Sequence, residues 1–273
     1  MADLTRRVVQ TVGKHFVTLS CVQHPPADSP EKTLVFSGFV VDVSGEWFYV
    51  TAGHILRDIR SALASGSSFD VWRLDDQTAG NRFNGKAVPY GFDVETWLVL
   101  DDARTGLDYA AVHLGDFYRR QLVAGGVSAI ARNAWSDHLT EHDHWVLVGI
   151  PSETVAYDEK TVITARVVMS PLIPADEPVL ADEKAQNQFY AKPIDGSEQF
   201  FKDADGMSGG PVFALKKVGE QWVYGVIGVQ SAWYRTSKTL AICPFSSFGV
   251  ALEEVVAEAR ALQSQSGDAS SVA

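Results

Sequence analysis

Apolar residues fall along this chain in short dense bursts, with only two stretches of helical periodicity. Residues 16–22, 33–43 and 47–51 are rich in β-branched and aromatic side chains and are bounded by polar or turn-forming positions, which predicts strands. Ser44-Gly45 joins two of these runs and predicts a hairpin. Further strands are predicted at 69–74, 97–100, 109–114, 145–150, 161–169, 211–215 and 222–230. Helical spacing occurs near the ends, with Leu4, Val8 and Val12 on one face and Val250, Leu252, Val255, Val256 and Leu262 in a segment near 246–263. Many short strands without regularly alternating helices predict a sandwich or barrels, not a βαβ fold. Residues 75–92 and 175–197 are rich in Pro, Gly and charge and read as long surface loops. The small polar residues after Ser264 read as a disordered tail.

The chain has 273 residues, 46% apolar and 21% charged, enough for one large β domain or two small ones. No apolar run approaches the roughly 20 residues of a membrane span. A formal net charge of −11 argues against a nucleic-acid partner, since phosphate contacts need a basic surface. Residues 1–7 carry charge but no apolar core or cleavage site, so no secretory signal is read. The two cysteines, Cys21 and Cys243, lie far apart. Both observations lead to the expectation of reduced thiols and a cytoplasmic location without membrane contact.

Asp205-Gly206-Met207-Ser208-Gly209-Gly210-Pro211 is the stretch richest in chemical content. A serine hydroxyl is a weak nucleophile until a base takes its proton and donors stabilise the oxyanion it creates. Glycines on either side of Ser208 allow a sharp turn, with the N–H groups of Gly206 and Ser208 as the expected oxyanion hole. The motif also fits the Gly-x-Ser-x-Gly elbow of α/β-hydrolases, but those place their histidine after the serine. All seven histidines here precede Ser208. His54, where an apolar run gives way to small residues, is the candidate base, while His15 and His24 lack comparable context. Asp108, directly ahead of an apolar strand, is the candidate acid that would hold the imidazole. Asp101 and Asp102 compete with it from a polar setting.

Together these segments resemble the trypsin-like serine peptidase family, and especially its bacterial HtrA-like branch. Thr51-Ala52-Gly53-His54 is similar to that family's Thr-Ala-Ala-His, Asp108-Tyr109-Ala110-Ala111-Val112 to its Asp-Ile-Ala-Val, and Gly206-Met207-Ser208-Gly209-Gly210-Pro211 to Gly-Asp-Ser-Gly-Gly-Pro. The order His, Asp, Ser is the family's. The resemblance implies an all-β fold of two six-stranded antiparallel β-barrels with a C-terminal helix. The implied boundaries are about 14–125, 126–245 and 246–263, with a disordered tail at 264–273. It also implies a His54, Asp108, Ser208 triad, acyl transfer without a cofactor, and substrate contacts from the strand bearing Gly228, Val229 and Gln230. Two departures matter. Met207 stands where digestive relatives carry an aspartate that pairs with a new N-terminus, and Ile55 stands where secreted relatives often have a cysteine. After Gln263 no room remains for the PDZ module of many HtrA relatives.

A protein or peptide is therefore the expected substrate, with an activating partner to restrain a cytoplasmic protease. The P1 preference is left open, because Lys202, Asp203 and Asp205 point in opposite directions. The rival from another class is a catalytically silent pseudo-protease that binds protein, against which three intact candidate residues argue. His138 and His142, four apart among Asp137, Glu141 and Asp143, raise a metal site. With no H-E-x-x-H pattern and no nearby cysteine, a solvated polar loop is the expected state.

Overall fold

The computed structural model describes residues 8–26, 29–76, 87–157, 163–178, 187–195 and 202–270. Residues 8–12 are helical, and the earlier part of the helix expected at 4–12 lies outside the described residues. Strands β1 (Phe16–His24), β2 (Lys32–Val43), β3 (Glu46–Thr51), β4 (Ser68–Asp76), β5 (Val88–Pro89), β6 (Leu98–Asp102) and β7 (Leu107–Leu114) form a sheet in the order β5-β4-β1-β2-β3-β7-β6. Next along the chain come β8 (His144–Gly149) and a two-stranded ribbon of β9 (Ala156–Tyr157) and β10 (Ile163–Thr164). Then follow β11 (Val168–Ala175), β12 (Phe189–Pro193), β13 (Pro211–Val218), β14 (Gln221–Tyr234) and β15 (Thr239–Pro244). With β8 these last five close into a six-stranded barrel in the order β11-β12-β15-β14-β13-β8. Helices α1 (Gly53–Ala64), α2 (Asp116–Ala124) and α3 (Phe245–Ser270) complete the chain. The expected all-β architecture with a terminal helix is what the chain forms, its N-terminal unit being a seven-stranded sheet with β5 as a two-residue edge.

The apolar runs are nearly continuous because the central strands are buried on both faces. Along β2, Val35, Phe39, Val41 and Val43 enter one core while Val40 enters another, as a period of two requires. The first core lies between the units. It joins those β2 residues to Val146, Val148, Phe213 and Val229 of the barrel and to Phe245, Phe248, Leu252 and Val256 of α3. The second is closed over by Ile55, Leu56 and Ile59 of α1 and Leu122 of α2. The third fills the barrel with Leu147, Val212, Ile227 and Ile242. Full burial of each such side chain contributes roughly 1.5–3 kcal/mol, so the shared core fuses sheet, barrel and helix.

Differences from the expected elements have local causes. Ser44 and Gly45 turn the β2–β3 hairpin with φ of 55° and 91°, the sign pattern of a type I′ turn. β12 runs through a segment read as loop, since its five residues are flanked by charge and proline that mask it. α3 buries Phe248, Leu252 and Val256, leaving Val250, Val255 and Leu262 outward. It continues to Ser270 through residues expected to be disordered, because extending an existing helix needs no new nucleus.

His15 joins the start of the chain to the barrel. It is 2% exposed, its Nδ1–H donates to the Ser128 carbonyl at 2.5 Å, and its Nε2 accepts from the Tyr224 hydroxyl at 2.8 Å. Burial pulls its pKa down to about 4 against the pull of the Ser128 bond, with Lys14 adding to the depression. Between pH 4 and 6.5 the unfolded chain therefore binds the extra proton, so this contribution is intact above pH 6.5 and is lost as pH falls. Denaturant unfolding across that window should show the wild type losing on the order of 3 kcal/mol more than the H15N variant. Equal pH slopes in the two proteins would contradict this account.

Candidate active site

α1 begins without a local cap. Ala52, at its N-cap, offers no side-chain bond, although the first N–H groups of a helix need acceptors. Asp108 of β7 supplies one from across the sheet, its Oδ1 accepting the His54 backbone N–H at 2.8 Å. The helix N-terminus in turn favours the negative charge. The other oxygen, Oδ2, accepts from His54 Nδ1 at 2.8 Å and from the Ser231 hydroxyl at 2.5 Å. One carboxylate thereby orients the imidazole through both its backbone and its ring. Gly53 is required beside it, since a Cβ there would stand 2.9 Å from the carbonyl oxygens of Leu100 and Tyr109. The competing acids are engaged elsewhere, Asp101 with Arg57 at 2.7 Å and Asp102 with Thr105 at 2.9 Å.

Ser208 faces the same cleft as His54, a space of about 320 Å³ also lined by Phe36, Ile55 and Gly206. Its Oγ donates to the Ser231 carbonyl at 3.3 Å, and among the described residues no hydrogen bond joins it to His54. Ser231 thus touches both halves of the arrangement, donating its hydroxyl to Asp108 and accepting from Ser208 on its carbonyl.

The amides of Gly206 and Ser208 are fixed from behind. In a trans peptide the C=O and N–H point in opposite directions. The Asp205 carbonyl accepts from Ser152 N at 2.7 Å and the Met207 carbonyl from Gly210 N at 2.9 Å, so the N–H groups of Gly206 and Ser208 point the other way. Among the described residues neither has a partner. Ser37 braces the same turn, its hydroxyl donating to the Gly206 carbonyl and accepting from Ile150 N, both at 3.0 Å. Gly209, at φ 85°, leaves no room for a Cβ against Thr51 Oγ1 and the Ser37 carbonyl. Met207 is fully buried in the barrel core against Gly149, so apolar packing holds the middle of the turn.

As backbone partners for a substrate strand, the three expected residues need correction. Gly228 and Val229 are flanked by paired strands on both edges, opposite Val212 and Pro211 on one side and Pro244 and Cys243 on the other, so neither has a free edge for a substrate strand. Gln230 is likewise engaged through its backbone, which exchanges bonds with Gly209 and Gly210. β13 pairs with β14 only as far as Val229 and the turn at Gly209 and Gly210 pairs with Gln230, so the strand edge on that side opens beyond Gln230. Ser231 itself was not identified from the sequence, because nothing local distinguishes a strand serine whose partner lies 123 positions away. Residues 137–143 are not helical, so His138 and His142 share no helix face. His138 stacks on Phe189 at 4.1 Å, and His142 bonds Thr140 at 2.8 Å.

The electrostatics follow this geometry. Burial lowers the His54 pKa, but the hydrogen bond and charge of Asp108, with the charge of Asp58, outweigh it and hold the imidazole above its ordinary value. Burial raises Asp108, yet its bonds from His54 and Ser231 hold it below the usual carboxylate range.

Solved structures place the fold. Over 92% of this chain and 96% of the other, it matches an inactivated protease paralogue of the scabies mite at 13% identity and TM-score 0.53. A second inactivated scabies mite paralogue is matched over 91% and 94%, at 12% identity and TM-score 0.50. A thermostable serine protease from an extremophilic microorganism is matched over 88% and 95%, at 14% identity and TM-score 0.46. No protein-family model matches the sequence, and no curated protein matches it. The fold is chymotrypsin-like.

An NMR titration of the His54 ring should give a midpoint above the ordinary 6.5. In D108N, burial acts without the carboxylate and the midpoint should fall below that of the wild type. An unchanged midpoint in D108N would refute the pairing.

Proposed function

We propose that the chain is a serine endopeptidase working through His54, Asp108 and Ser208. The observation that carries this reading is the arrangement itself. A buried carboxylate is bonded to the Nδ1 of His54, and Ser208 lies in the same cleft beside two amide N–H groups that have no partner among the described residues. In acyl transfer, Ser208 Oγ forms a bond to the scissile carbonyl carbon while His54 Nε2 takes its proton. The oxyanion develops against the N–H groups of Gly206 and Ser208, and His54 then gives the proton to the leaving amine. Water, losing a proton to His54, attacks the acyl carbon, the C–O bond to Ser208 breaks, His54 returns the proton to Ser208 Oγ, and the new carboxylic acid leaves. Asp108 holds the tautomer and stabilises the imidazolium. The substrate backbone runs along residues 231–234.

A cysteine nucleophile is a poor fit. Position 208 is serine, and both thiols are buried and free, burial pushing Cys243 up to about 12. A thiol in that state is inert. The three ordered motifs favour the bacterial HtrA-like branch, and two free buried thiols suit a reducing cytoplasm. Ser208 resting on Ser231 suits an activating partner that realigns it. A pseudo-protease would keep this fold without turnover, and the following measurement separates the two.

Peptide hydrolysis by S208A should fall by a factor on the order of 10⁶ relative to the wild type if chemistry limits turnover. The rate at limiting substrate should rise with pH through the His54 midpoint, displaced upward as above, because only neutral imidazole accepts the proton. Substantial cleavage by S208A would refute the assignment.

A further inference from the structure

We propose that Gln230 selects the P1 residue, the one whose carbonyl is attacked, and that it selects a carboxamide side chain, Gln or Asn. This rests on the peptidase reading above. Gln230 is fully buried, yet among the described residues neither its Oε1 nor its Nε2 has a hydrogen-bond partner. Buried polar groups are almost always paired, and leaving both ends of an amide unpaired is costly. Such a side chain at the nucleophile points to a partner that arrives with the substrate.

Its position is fixed by its backbone. The Gln230 carbonyl accepts from Gly209 N at 2.8 Å, and its N–H donates to the Gly210 carbonyl at 2.9 Å. It therefore lies directly against the turn that carries Ser208. Its direction follows from register, since residues opposite one another on paired strands share a face. Val229 stands opposite Cys243, and both belong to the core between the units, whereas Gln230 stands opposite Ile242 of the barrel core. The carboxamide therefore turns toward the barrel interior, the side on which Met207 and Ala204 are buried.

Two segments run side by side outward from this point. Residues 208–209 are tied to 230–231 by the Gly209 N–H and the Ser208 hydroxyl. At the outer end Arg235 pairs with Asp203 at 2.9 Å and also with Asp205. A side chain descending from a carbonyl at Ser208 passes between these segments and reaches Gln230 at the inner end. Exposed ion pairs such as those of Arg235 add little stability, so the outer tie parts easily.

The chemistry of the occupant follows from that of Gln230, which offers one neutral donor and one neutral acceptor. A second carboxamide satisfies both. A carboxylate gives Oε1 no donor and buries charge among apolar groups, and a lysine or arginine buries charge there as well. An aliphatic side chain leaves both ends of Gln230 unpaired. Arg235 does not alter this, being engaged by two carboxylates.

The test is to profile the whole chain against peptides varied at P1. The expected result is kcat/KM for P1 Gln or Asn at least about tenfold above P1 Met, Leu, Glu or Asp, the factor that an unpaired buried amide implies. Q230M keeps the length but removes the amide, and should reverse the order in favour of P1 Met and Leu. A wild type that prefers charged or aliphatic P1, or a Q230M that keeps the carboxamide preference, would overturn the inference. If Q230M does not fold, the wild-type profile alone decides. A fluorophosphonate label on Ser208 without a carboxamide preference would sink this inference and leave the peptidase reading standing. Absence of both label and cleavage would sink both.

Discussion

A carboxylate withdrawn from water has to be matched by donors, and Asp108 is matched by three, from two separate parts of the chain. The backbone and ring of His54 supply two, and the Ser231 hydroxyl of the barrel supplies the third. This convergence fixes more than a protonation state. It starts α1 where no local cap exists, sets the tautomer of the imidazole, and draws β14 of the barrel against β7 of the sheet. The two units are therefore held in register at the cleft by the group that would tune the base. The apolar core between them, from Phe39 and Val41 to Val229 and Phe245, makes that convergence stable.

The turn that carries Ser208 is held by a second set of ties that use the same neighbours. Ser37 reaches from β2 to the Gly206 carbonyl, while Gly209 lies against Thr51 and Ser37 too tightly for any side chain. Each unit thus contributes to the placement of the other's chemical group. Met207, anchored in the barrel core against Gly149, holds the middle of the turn by apolar packing.

Much of this was legible in the sequence because it is written in local patterns. Dense β-branched runs gave the strands, Ser44-Gly45 gave a hairpin, and the glycine-flanked Ser208 marked a turn. What was not legible depends on distant partners. Ser231 gains its role only from Asp108, and the strand edge opens beyond Gln230, not at 228, because β13 and the turn at Gly209 and Gly210 pair with the residues before it. α1 was missed because its cap comes from another strand, and β12 because five residues between charged flanks carry too little periodicity. The departure at Gly53 from the Thr-Ala-Ala-His pattern is explained only once the carbonyls of Leu100 and Tyr109 are seen beside it.

The central proposal is that Asp108, His54, Ser208 and the amides of the turn act together on one carbonyl group. The most direct measurement is a crystal structure of the chain after reaction with a small organophosphonate. The account predicts phosphorus bonded to Ser208 Oγ, a phosphoryl oxygen hydrogen-bonded to the N–H groups of Gly206 and Ser208, and His54 still paired with Asp108 and facing the adduct. An adduct on another residue, or one on Ser208 whose phosphoryl oxygen turns away from both amides, would contradict it.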